Sequence, residues 1–197
     1  MKNSLESHVI SFDNALDRGF CDQLISQFEG MKSQWYRGGA TQMVGLAESS
    51  WTEFNISACA DDAFKGFFLS LIGKYLAIYN DRLKLTRPIP FRPRYEDLRM
   101  KKYSASANDK FQPHFDSTDI HPLRYLVFLW YLNDVSDGGE TEFCDLGIKV
   151  QARAGRLLMF PPYWMYQHSG LQPRSNDKYI LSTYLLFQGS LNNPIRR

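Results

Sequence analysis

The sequence predicts a mainly β protein with helices at its N-terminal end, the second half forming an antiparallel barrel or jelly roll. From residue 99 onward the chain breaks into short runs rich in β-branched and aromatic residues, separated by turn clusters such as Ser136-Asp137-Gly138-Gly139, which is the pattern of antiparallel strands. Before residue 98, apolar residues recur at helical spacing in two segments, as one-sided helices require. No linker, internal repeat or low-complexity tract separates the halves. One domain over residues 1–197 is therefore expected, with 1–98 as mainly helical support and 99–188 as the β core.

Each element has a local reason. In 15–31, Phe20, Leu24, Phe28 and Met31 lie near helical spacing, with Asp13, Asn14 and Asp17 as capping candidates and Gly30 as a stop. Segment 61–79 repeats the pattern with Phe64, Phe68, Ile72, Tyr75 and Tyr79, and Asp61 and Asp62 suit its positive N-terminal end. Segment 33–50, rich in Gly, Ser and Thr, is expected to loop, and 51–56 alternates as a strand. The longest apolar run, 125–132, is too short to span a bilayer and reads as a buried strand. If Tyr131 faces inward, Leu129 and Val127 do too, and the helices should cover the opposite, outer face of the larger sheet.

The net charge of +2 selects no partner class. Cys21, Cys59 and Cys144 show no CxxC spacing and read as reduced thiols of a cytoplasmic protein, with Cys144 as a small buried hydrophobe. Residues 1–8 contain no continuous apolar stretch, so no cleaved signal is expected. His8 is assigned to a mobile terminus, and His121 to the surface. Between residues 82 and 102 eight basic side chains face only Glu96 and Asp97, a local net of +6. Pro88, Pro90 and Pro93 keep this stretch extended, and it lacks the aromatic interleaving of a base-stacking surface, so a nucleic-acid partner is disfavoured.

The chemistry concentrates in His114, Asp116 and His168. On a strand, His114 and Asp116 would share one face, with Phe111 and Phe115 on the other. Two imidazoles and one carboxylate leave coordination positions open, which suits non-haem Fe(II), whereas structural zinc sites are closed by four residues and rich in Cys. Around these residues stand Met100-Lys101-Lys102-Tyr103, the strand Arg124 through Val135, Gly138-Gly139-Glu140-Thr141-Glu142-Phe143, Gly155 through Pro161, and Lys178-Tyr179-Ile180-Leu181.

Taken together, residues 99–188 resemble the prolyl 4-hydroxylase-like branch of the 2-oxoglutarate- and Fe(II)-dependent dioxygenases. The resemblance implies a double-stranded β-helix, a cupin-like jelly roll of eight strands near 99–103, 111–118, 124–132, 140–144, 147–151, 155–160, 166–169 and 178–188. It implies His114, Asp116 and His168 as iron ligands, Lys178 as the cation holding the distal carboxylate of 2-oxoglutarate, and Tyr103, Tyr131 and Thr141 as further cosubstrate-pocket residues. Fe(II), 2-oxoglutarate and O2 would be required, with ascorbate as a possible reductant. The implied substrate is a prolyl residue of a peptide or protein, held by mobile loops 33–50 and 104–110. A free amino acid or other small molecule remains open as substrate, and a nucleic-acid oxygenase or a non-catalytic cupin-like binding module is disfavoured. No membrane association is expected.

Overall fold

The computed structural model describes residues 3–39, 45–91 and 94–187. In chain order these contain β1 (Ile10–Phe12), α1 (Arg18–Gly30), β2 (Tyr36–Gly39), β3 (Ser50–Asn55), α2 (Asp62–Leu83), β4 (Arg99–Tyr103), β5 (Phe111–His114), β6 (Arg124–Tyr131), β7 (Thr141–Phe143), β8 (Ile148–Val150), β9 (Leu157–Phe160), β10 (His168–Gly170) and β11 (Lys178–Leu186). The strands form an antiparallel sheet of seven, β1-β9-β6-β11-β4-β3-β2, and an antiparallel sheet of four, β5-β10-β7-β8. This is the expected jelly roll. The eight strands anticipated beyond residue 98 are β4 to β11, and β1, β2 and β3 extend the larger sheet at its edges.

Both helices start where a carboxylate caps them. Asp17 accepts from the Phe20 N–H at 3.1 Å and Asp61 from the Phe64 N–H at 2.8 Å, satisfying donors that the first helical turn leaves free. The apolar faces of α1 (Cys21, Leu24, Phe28) and α2 (Phe68, Ile72, Leu76, Tyr79) share one core cluster with Leu126, Phe128 and Trp130 of β6 and Leu181 of β11. The alternate residues Val127, Leu129, Tyr131 and Ile180 belong to a second cluster with Phe143 and Val150 of the smaller sheet. Central strands covered on both faces read as continuous apolar runs for this reason. Phe68 is fully buried, with its ring edge-on to Trp130 at 5.3 Å. Phe68→Ala is expected to cost about 3–5 kcal/mol of folding stability, measured by denaturant unfolding. A loss below about 1 kcal/mol would mean that the helix layer contributes little.

Several expectations shift in detail. Segment 33–50 contains β2 rather than a loop throughout, although residues 40–44 lie outside the described residues. The expected lid 104–110 is pinned: Asp109 is buried, bonded by Arg37 at 2.7 and 2.9 Å, by the Ser50 hydroxyl at 2.8 Å and by the Ser104 N–H at 3.0 Å. Cys144 is exposed rather than buried, because β7 ends at Phe143 and the chain turns away. The His8 carbonyl, placed by sequence in a mobile terminus, accepts from Tyr79 Oη at 2.7 Å. Within 82–102, Arg92 and Pro93 lie outside the described residues. Arg99 and Lys101 pair with Glu53, and Lys102 pairs with Glu29 and Asp177, so much of this positive charge is locally matched. Among the described residues no helix is long and apolar enough to cross a membrane.

Candidate active site

The two sheets enclose a pocket lined by Lys101, Tyr103, Phe111, His114, Asp116, Val127, Leu129, Thr141, Phe160, His168, Lys178, Ile180, Ser182 and Tyr184, among others. Strand alternation puts Lys178, Ile180, Ser182 and Tyr184 of β11 on its wall. The sequence reading reached Lys178 and missed Ser182 and Tyr184, which continue the same every-other-residue series. It also missed Lys101, two residues before Tyr103 on β4.

His114 and Asp116 do meet, but not as neighbours on one strand face. β5 ends at His114, and Asp116 lies beyond it, its N–H donating to the Pro162 carbonyl at 3.0 Å. Pairing of β5 with β10 matches His168 to His114 and Gly170 to Phe111, so three residue steps on one strand oppose two on the other. This irregularity turns Phe111 onto the His114 side, against the expectation from simple alternation. The Phe111 and His114 rings stack at 3.5 Å between centroids. His168 opens β10, directly opposite His114.

The three side chains offer ligand atoms that all lie within 4.8 Å of one another and could hold a metal ion. Nε2 of His114 is 3.7 Å from Asp116 Oδ1, and Nε2 of His168 is 3.5 Å from Asp116 Oδ2. Each imidazole is oriented from behind: Nδ1 of His114 meets the Gln112 carbonyl at 2.8 Å, and Nδ1 of His168 meets the Tyr166 carbonyl at 3.0 Å. A carbonyl only accepts, so Nδ1 carries the proton and Nε2 presents its lone pair to the site. Burial, with His168 beside it, pushes the His114 pKa down to about 3, and burial also lowers that of His168. Burial alone would raise the Asp116 pKa, but the facing histidines, Arg124 and the Tyr184 hydroxyl hold it below the usual carboxylate value. Neutral imidazoles and an ionised carboxylate are the forms that bind a metal, so the donor set fits Fe(II).

Lys178 is 2 % exposed, and no described residue accepts a hydrogen bond from its ammonium or pairs with it. Its Nζ lies over the Tyr103 and Tyr131 rings at 5.0 and 5.7 Å. Burial depresses its pKa from 10.5 to about 7, with Glu140 opposing. Tyr131 Oη donates to Thr141 Oγ1 at 2.7 Å, joining two more predicted residues beside it. The backbone leaves room there: Gly139 adopts φ +74°, and a Cβ at Gly170 would sit 3.9 Å from the ammonium. A buried cation without a partner is costly unless an anion joins it. All seven residues singled out from the sequence therefore surround one pocket or its buried wall.

Residues 98–186 match the family model described as the 2OG-Fe(II) oxygenase superfamily. The chain carries a 2OG-Fe(II) oxygenase domain. The domain is that of a dioxygenase, and the family implies Fe(II), 2-oxoglutarate and O2. Similar solved folds include a viral collagen prolyl hydroxylase from Paramecium Bursaria Chlorella virus-1 as its 2OG complex, at 19% identity and TM-score 0.60, covering 92% of this chain and 97% of that one. A Pseudomonas putida prolyl-4-hydroxylase aligns at 18% identity and TM-score 0.64 over 91% and 93% of the two chains. A Trichoplax adhaerens prolyl hydroxylase in complex with a hypoxia inducible factor peptide fragment aligns at 17% identity and TM-score 0.70 over 91% and 84%. No sequence among curated proteins matches the chain. These likenesses establish the jelly-roll fold of the oxygenase domain.

Proposed function

We propose that the oxygenase domain hydroxylates a prolyl residue within a peptide or protein, with His114, Asp116 and His168 holding Fe(II) and Lys178, Tyr103, Tyr131 and Thr141 receiving 2-oxoglutarate. One observation carries the reading: an unpartnered buried cation and a two-imidazole, one-carboxylate set share a single pocket. When bound, Fe(II), 2-oxoglutarate and O2 supply oxidation of an unactivated C–H bond, with succinate and CO2 as co-products.

The protein's own contribution is placement. The Lys178 ammonium offers a charge-assisted hydrogen bond to the distal carboxylate of 2-oxoglutarate, fixing that molecule along the pocket. The Tyr131–Thr141 pair provides hydroxyls beside it, and Tyr103 provides a ring face for the ammonium. Val127, Leu129, Phe160 and Ile180 line the pocket, displacing water and strengthening these polar contacts. The Nδ1-bonded histidines keep Nε2 free of protons. The prolyl target is supported by the prolyl hydroxylases of similar fold, one of them seen with a peptide. Phe115, Trp164 and Met165 are exposed beside the metal-ligand segments and offer apolar surface to residues flanking a target proline.

Lys178 gives the reading a pH signature. With the free-site pKa at about 7, the ammonium is present below that pH and must be regained by proton uptake above it when the carboxylate binds. The apparent dissociation constant of 2-oxoglutarate should therefore rise by up to about tenfold per unit between pH 7 and 9, read from the charge-transfer absorption of the anaerobic Fe(II) complex. An affinity flat over that range would remove Lys178 from the cosubstrate site. For the substrate, succinate release should be driven by proline-containing peptides more strongly than by free proline, because flanking residues add binding energy. Free proline or another free metabolite matching every peptide would assign the domain to small-molecule hydroxylation.

A further inference from the structure

The strongest unassigned feature is a chain of polar contacts behind Asp116. Tyr184 Oη donates to Asp116 Oδ1 at 2.9 Å, and Arg124 Nη1 donates to the Asp116 backbone carbonyl at 3.1 Å. The Arg124 guanidinium carbon lies over the Tyr184 ring, 3.9 Å from its centroid. Glu96 grips the far side of that guanidinium with two hydrogen bonds, 2.6 Å to Nε and 2.7 Å to Nη2. Glu96 is itself tied to β11, its N–H donating to the Tyr184 carbonyl at 3.0 Å and its carbonyl accepting from Thr183 Oγ1 at 2.6 Å. Asp116, Tyr184, Arg124 and Glu96 thus form a closed loop of contacts anchored on β6 and β11.

We propose that Tyr184 is a positioning residue that fixes the rotation of the Asp116 carboxylate, with Arg124 and Glu96 locking Tyr184 in place. The inference rests on the iron-site reading above. A carboxylate beyond a strand end can rotate about its last bond and present either one oxygen or both to a metal. Here each oxygen faces one imidazole, Oδ1 at 3.7 Å from His114 Nε2 and Oδ2 at 3.5 Å from His168 Nε2, but only Oδ1 also accepts a hydrogen bond, from the phenol. The phenol thus competes for Oδ1 and leaves Oδ2 as the freer donor, which favours one-oxygen binding and would keep further coordination positions free for 2-oxoglutarate and O2. Orienting a ligand from behind is worth about 10–100-fold in metal affinity.

Tyr184→Phe removes only the hydroxyl. Anaerobic titration of the metal-free protein with Co(II) and with Fe(II) should show affinity lowered by about 10–100-fold, while the metal-free protein still folds, its thermal midpoint lowered by several degrees for the loss of one hydrogen bond to a buried carboxylate. The visible Co(II) bands should also weaken, as expected when a freed carboxylate binds through both oxygens and raises the coordination number. Arg124→Lys keeps the charge facing Glu96 but loses the guanidinium over the Tyr184 ring and the two-pronged bond to Glu96, and should lower affinity in the same direction. In the double variant the losses should not add, because both act through one carboxylate. Unchanged affinity and Co(II) spectrum in Tyr184→Phe would overturn the inference. So would a Tyr184→Phe variant that binds metal normally and shows only a raised KM for substrate. If Tyr184→Phe does not fold, Arg124→Lys decides alone, unchanged metal affinity refuting the proposal. Failure of the wild-type protein to bind either metal would instead refute the iron-site reading.

Discussion

Alanine at His114, Asp116 or His168 is expected to abolish turnover and to weaken Fe(II) binding by well over the ~10–100-fold typical of residues that act behind a ligand. Each removes one of three donors whose atoms lie within 4.8 Å of one another. Asp116→Ala should have the additional effect of leaving Tyr184 without its acceptor. Anaerobic Fe(II) titration and succinate release read the two quantities separately. Near-normal turnover in His168→Ala would mean that the third donor is another group, despite its position opposite His114 across β5 and β10.

Lys178→Met should separate stability from function. The substitution keeps a long unbranched apolar side chain and removes the buried ammonium. Binding of 2-oxoglutarate should weaken by roughly 1.5–3 kcal/mol, the contribution of a charged hydrogen bond, with iron binding largely intact. Folding stability should rise at pH 7. A pKa held at about 7 against 10.5 in a free lysine corresponds to a cost on the order of 5 kcal/mol while both folded and unfolded chains are protonated. Below about pH 7 that cost is fully present. Between 7 and 10.5 the unfolded chain binds the extra proton, so the wild type gains stability with rising pH and the variant's advantage shrinks. Denaturant unfolding at pH 6.5 and pH 10 measures this. A less stable variant with unchanged 2-oxoglutarate affinity would show that Lys178 is a structural residue, not a cosubstrate anchor.

The site was legible in the sequence where its residues follow local rules. Alternation from Tyr131 correctly turned Leu129 and Val127 into the pocket, and the same rule on β11 puts Ser182 and Tyr184 beside Lys178. The helices were legible because Asp17 and Asp61 cap apolar periodic runs. What could not be read depends on distant partners. The turn of Phe111 toward His114 comes from a pairing irregularity with β10, more than fifty residues away. The Tyr184–Asp116 bond spans 68 residues and the Arg124–Glu96 pair 28, and neither side of either link carries a local signature. β1 and β2, at three and four residues, are too short to display alternation and exist because β9 and β3 offer them edges.

The most direct test of the central claim is the mass of the product. Proline-containing peptides incubated with the protein, Fe(II), 2-oxoglutarate, ascorbate and O2 should gain one oxygen atom, and fragmentation should place it on a proline ring in amounts matching the succinate formed. Replacing O2 by its heavy isotope should carry the label into that hydroxyl, as oxygen insertion requires. Succinate formed with no peptide gaining mass, while a free amino acid or other metabolite does, would contradict the peptidyl-prolyl reading and leave the iron and 2-oxoglutarate assignments standing.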